Sequence, residues 1–178
     1  MADKNFKVKN AIELGTASIV TPSGTLSLPS STDTIVGRST NDTLTNKTLQ
    51  GVEEITTISA TAATGTINLD ALTQSVLYYT TDSSANWTLN IRGDSSNTLN
   101  SILPVGSSIT VVFLVTNGTT AYYQTAFQID GVSHTPKWQG GSAPTEGSAS
   151  SIDAYSFTIT KTDSAPTYMT LASVAGFA

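Results

Sequence analysis

A chain of 178 residues has room for one ordinary domain and an extension, or for two small domains. A net charge of −5 with eight Lys and Arg excludes the clustered positive face of a nucleic-acid binder. The lack of cysteine excludes a disulfide framework and thiolate metal sites, and no run approaches the ~18 apolar residues of a membrane span.

Charged residues make up only 12%, while Thr and Ser number 31 and 23. Low charge with recurring Thr, Val, Ile, Tyr and Phe argues against disorder and places the hydroxyls on strands. The chain reads as all-β. The opening Met-Ala-Asp-Lys-Asn has no apolar h-region, so a secretory signal is not expected.

In chain order, residues 1–55 read as an attachment arm or fibre-like stalk. From Lys4 to Leu14 the residues Phe6, Val8, Ile12 and Leu14 fall on one face, with Lys7, Lys9, Ala11 and Glu13 on the other. Gly15 ends this strand. TASIV, a Thr21-Pro22-Ser23-Gly24 turn, TLSL, DTIVG and NDTLTNKTL follow, each a short β-segment closed by a turn. Such pieces need copies of themselves, or a socket, to bury against. Phe6, Val8, Ile12, Leu14, Ile35, Val36, Leu44 and Leu49 are the expected docking residues. Three chains sharing one core would meet that need, and so would an extended arm over a neighbouring subunit.

Residues 56–64 read as a linker or entry strand. From 65 to 178 the pattern changes to longer strands, at 66–69, 75–81, 86–92, 107–116, 121–130, 154–161 and 167–174, separated by Gly, Asn, Ser and Asp clusters. This spacing predicts an antiparallel, jelly-roll-like β-sandwich. Asn117-Gly118 between two strong β-runs predicts a tight hairpin over 107–130. Both faces of 107–116 are apolar, so that strand is expected to be central and covered on both sides, by a loop or by another subunit. The one helical candidate is 97–103, with Asn97 as cap.

The chemistry is sparse. His134 is the single histidine, and no Gly-x-Ser-x-Gly elbow accompanies it. The thirteen carboxylates are scattered beside turn residues, and the adjacent Glu53 and Glu54 would point opposite ways on a strand. No catalytic residue, metal ligand or cofactor is therefore expected. Trp138, in the loop-like HTPKWQGGSAP, is the best candidate for stacking on a glycan, with Tyr122 and Tyr123 beside it. Paired tyrosines on a strand more often place one ring in the core and one at an interface.

Several long words resemble a known group. ADKNFKVKNAIELG is similar to the opening of many virion structural proteins of marine tailed phages, cyanophages in particular, with Ala11 where that group usually carries Gly. STDTIVGRSTNDTLTNKTLQG and LTQSVLYYTTDSSANWTLNIRG resemble segments of phage fibre proteins. HTPKWQGGSAPTEGSASSIDAYSFTITKT and the closing Phe-Ala resemble their terminal domain. The resemblance implies a non-enzymatic virion component made in the host cytoplasm and released by lysis. It would be a homotrimeric tail fibre or similar appendage, its arm docked on other virion proteins and its C-terminal domain exposed. A capsid decoration or head-fibre protein, and a carbohydrate-binding receptor-recognition domain for host-surface glycan, are the alternatives.

Overall fold

The computed structural model describes residues 46, 48–165 and 167–178, together with the backbone of two short strands near the N-terminus. The chain divides into two compact units, Met1–Gln50 and Gly51–Ala178.

In the first unit, β1 (Ser18–Thr21) and β2 (Gly24–Ser27) pair antiparallel, with Ile19 opposite Leu26 and Thr21 opposite Gly24. The strand–turn–strand reading of that stretch corresponds to this hairpin. Of the expected docking residues, Phe6, Val8, Ile12, Leu14, Ile35, Val36 and Leu44 lie outside the described residues. Leu49 is described and exposed.

The second unit is β-rich, with two sheets around one core. Its strands are β3 (Thr56–Ala62), β4 (Gly65–Asp70), β5 (Val76–Thr81), β6 (Trp87–Arg92), β7 (Ser108–Asn117), β8 (Gln124–Ile129), β9 (Val132–Ser133), β10 (Lys137–Trp138), β11 (Ser151–Asp163) and β12 (Thr167–Phe177). The larger sheet has the order β10-β12-β11-β7-β5-β3 and the smaller β4-β6-β8-β9.

The antiparallel, jelly-roll-like expectation holds only for part of this. From β3 to β8 the chain alternates between the sheets, and each strand pairs parallel with the next one on its own sheet. Parallel neighbours need a crossover, and here the crossover is the strand of the opposite sheet. The result is three turns of a flattened coil. Only β11, β12 and the β8–β9 hairpin bring antiparallel pairing. A period-two pattern is the same for both kinds of ladder, so the sequence did not separate them.

The turns of the coil are joined at their corners. Ser84 N donates to Ala63 O at 3.1 Å and Ser83 N to Thr116 O at 2.9 Å. At the opposite end Ala71 N and Leu72 N donate to Arg92 O and Gly93 O. Gly65, with φ +60, makes the abrupt passage from β3 to β4. Residues 56–64 are thus not a free linker, since Thr56–Ala62 is an edge strand paired to β5.

The expected 107–130 hairpin does not form: β7 and β8 belong to different sheets. Asn117 and Gly118 lack the positive φ such a turn requires. Asn117 is instead buried, its Oδ1 accepting from Ser83 Oγ and Tyr122 N and its Nδ2 donating to Asp153. The tight turn falls at Asp130-Gly131, where φ is +52 and +77 and Ile129 faces Val132. That is the two-residue geometry Asp-Gly favours. The Asp130 carboxylate also accepts from Leu99 N and Asn100 N at 2.6 and 3.1 Å, at the start of α1 (Leu99–Ile102). The cap of α1 is Thr98, not Asn97, its side chain accepting from Ser101 N.

Between the sheets lie Leu69, Leu89 and Ile91 from the smaller and Val111, Phe113, Tyr155, Phe157 and Ile159 from the larger. Trp87 joins them, edge-on to Phe113 and Tyr155.

Candidate functional site

Strand alternation sends every second side chain into this core and the others outward. On the smaller sheet Thr66, Asn68 and Asp70 of β4 stand in register with Thr88, Asn90 and Arg92 of β6. Asn90 Nδ2 donates to Asn68 Oδ1 at 2.8 Å and Arg92 Nε to Asp70 Oδ1 at 2.7 Å. That bond raises the Arg92 pKa further above its ordinary value. This face suits water.

The outward face of the larger sheet is different. Its rows include Val76 and Tyr78 on β5, Val112 and Leu114 on β7, and Ile152 and Ala154 on β11. Thr158 and Thr160 stand beside Leu171 and Met169 of β12, and Ile152 beside Phe177. Leu171 is 48% exposed, Phe177 61%, and Ile58 on the edge strand 66%. Among these registered outward positions the single charge is Lys137, on the short edge strand β10.

The hydroxyls of this face largely satisfy one another. Thr110 and Thr158 share a hydrogen bond at 3.1 Å, Thr160 Oγ1 donates to Ser108 Oγ at 3.1 Å, and Thr116 Oγ1 to Tyr78 Oη at 3.3 Å. Polar groups already paired lose little when water is removed. β7 is indeed a central strand, between β5 and β11. Its inner residues Val111, Phe113 and Val115 are buried, and its outer Val112 and Leu114 are only half covered. Central strand position and apolarity on both faces were legible in 107–116; the breadth of the face across four neighbours was not, because it requires the register.

The aromatic candidates fall in separate places. Trp138 turns toward the core side of β10, half-buried and edge-on to Tyr155 and Phe157 at 6.4 and 5.9 Å. It borders an open groove shared with Lys137, Gln139, Ser156, Leu171 and Ser173. Tyr122 and Tyr123 precede β8 of the other sheet and do not line that groove. Tyr122 packs against the core. Tyr79 points inward onto Phe113, and its neighbour Tyr78 outward.

His134 follows β9 and packs between Phe127 and Tyr168. Burial lowers its pKa from the ordinary 6.5. Among the described residues no group of three or more His, Asp and Glu is placed to hold a metal ion, and no helix is long and apolar enough to cross a membrane.

No family model, curated protein or solved structure matches the chain.

Proposed function

We propose that the chain is a structural subunit of a phage virion, a fibre-like appendage protein that works by assembly. Its copies, three in the simplest arrangement, pack through the outward face of the larger sheet. The N-terminal arm, through Phe6, Val8, Ile12 and Leu14, docks on another virion protein, and the β-domain faces outward.

The observation that carries this reading is the asymmetry between the two outward faces. One is a polar ladder with an ion pair, and the other is apolar, hydroxyl-lined and nearly uncharged. A protein that worked alone would have no use for the second. Four strands of 6, 10, 13 and 11 residues, about 4.8 Å apart, present about 650 Å² per copy. A standard stable interface uses about 800 Å² per partner, so the face alone comes close to that size. The resemblance of ADKNFKVKNAIELG and the later words to marine phage virion proteins suggests the setting.

Light scattering on the purified protein tests the assembly, and a stable monomer at micromolar concentration overturns it. Labelling of the protein on purified virions tests the setting. A few copies at a tail tip fit a fibre, and a lattice of copies over the head makes it a capsid decoration.

A further inference from the structure

Opposite charges stand at the two edges of the larger sheet, with the uncharged face between them. Of the cations in Gly51–Ala178, Arg92 is held by Asp70, and Lys161 is buried with its ammonium donating to Asn100 O at 2.8 Å. The third, Lys137, is exposed on edge strand β10, and no carboxylate among the described residues pairs with it. Asp70, Asp94, Asp130 and Asp153 are each hydrogen-bonded within the subunit. Glu53 and Glu54, both exposed, lead into β3 at the opposite edge of the sheet.

The register sets Lys137 and Glu54 at one level. Lys137 stands beside Leu171, Leu171 beside Thr158, and Thr158 beside Thr110. Two residues beyond Thr110, Val112 stands beside Val76, and Val76 beside Thr56. β7, β5 and β3 run parallel, and Glu54 precedes Thr56 by two residues as Thr110 precedes Val112. Counted along the chain, Glu54 therefore falls on the row of Lys137 at the far edge. Six strands about 4.8 Å apart put the two edges about 24 Å from each other. That exceeds both the reach of an ion pair and the screening length of about 8 Å at physiological salt. Within one copy the two charges do not meet.

Rotation of a copy about an axis along the strands leaves height unchanged, so residues at one level on the two edges are brought together. Two sheets face to face across a two-fold axis, or three closing a prism around a three-fold one, both set Lys137 of one copy beside Glu54 of the next. The same rotation brings Ile58, 66% exposed on β3, to the boundary with Leu171, 48% exposed on β12. Between the edges lie about 650 Å² of uncharged face, close to the 800 Å² or so that each partner gives a standard interface. A foreign partner would need only one of the two charges, and a second copy uses both.

We infer that a second copy of the chain covers this face, turned about an axis along the strands and registered by an ion pair from Lys137 to Glu54 of its neighbour. The pairing rests on the reading that the copies assemble through the larger sheet, and it adds the direction of the axis and the residues that fix the register.

Charge reversal in the full chain, followed by light scattering, tests the pairing. Lys137→Glu and Glu54→Lys each set like charges together and should weaken association at least about tenfold. Both changes on one chain should restore it. Glu146→Lys, an equal change of charge in the exposed loop before β11, should leave association as it is. Mixing the two single variants restores a two-fold assembly in full, whereas a three-fold ring keeps one mismatched boundary; either result supports the pairing. A parent protein that stays monomeric overturns the assembly reading and the pairing together. Parent assemblies that survive both reversals, or a combined variant as weak as the single ones, overturn the pairing alone.

Discussion

Asn117 at the end of β7 donates from Nδ2 to Oδ2 of Asp153 in β11 at 2.9 Å, and both residues are almost wholly buried. Ser148 N gives the same carboxylate oxygen a second hydrogen bond at 3.0 Å, while Asn117 Oδ1 holds Ser83 and Tyr122. The pair thus ties Ser83, Tyr122 and Ser148 to the ends of β7 and β11. Asn117→Ala leaves the Asp153 carboxylate with Ser148 N alone and removes the acceptor of Ser83 Oγ and Tyr122 N. It should cost about 2–5 kcal/mol in urea unfolding, since each unmet buried group costs about 1–3. Asp153→Asn, which keeps shape and one acceptor, should cost less.

Gly147 sits beside this clamp, where an added Cβ would lie 2.2 Å from the Tyr122 carbonyl oxygen. Both neighbours there are backbone or buried, so neither gives way freely. Gly147→Ala should destabilise by about 1–3 kcal/mol, the usual cost of overpacking. Gly131→Ala meets open space and is strained only through its φ of +77, so it should cost about 1 kcal/mol. Thermal melts of the two variants side by side decide the order.

Element positions were largely legible because apolar alternation marks a strand wherever it pairs. The runs 75–81, 86–92 and 107–116 fall within a residue or two of β5, β6 and β7. Pairing was not legible, since alternation carries no direction, and Asn117-Gly118 misled because the buried Ser83 and Asp153 outbid the local turn preference. Asp130-Gly131 carries the same signal at the very end of the expected 121–130 strand, which the structure shortens to Gln124–Ile129.

The two tryptophans separate core from margin. Trp87 is fully buried and meets Phe113 and Tyr155 edge-on, while Trp138 meets Tyr155 edge-on and is only half-buried. Trp87→Ala should cost about 3–5 kcal/mol, and Trp138→Ala about 1–3. In Trp138→Phe the remaining fluorescence should be blue-shifted, as expected for a dry indole. If Trp138→Ala proves as costly as Trp87→Ala, the marginal placement fails.

His134 makes stability pH-dependent in a window where no other ordinary side chain titrates. Burial lowers its folded pKa below the unfolded 6.5. As pH falls past 6.5 the unfolded chain takes up a proton that the folded one still refuses, so stability rises with pH across the window and is lost on acidification. The urea midpoint should fall between pH 7 and pH 5.5, and His134→Gln should flatten that slope. An NMR titration should place the imidazole midpoint below 6.5; a midpoint above it contradicts the burial.

The outward face of the larger sheet gives the sharpest contrast between fold and assembly. Leu114 and Leu171 contribute to it without entering the core, so a carboxylate there stays solvated in a lone subunit. Leu114→Glu and Leu171→Glu should leave the unfolding of a dissociated subunit within about 1 kcal/mol of the parent. In an assembly the same carboxylates would be buried without a cation, at a cost of several kcal/mol per copy. Light scattering should therefore show dissociation for both variants, with circular dichroism unchanged. Thr66→Glu on the polar face is the control and should change neither. Assemblies that survive both leucine variants would mean that the copies meet elsewhere, and the uncharged face would then need a different partner.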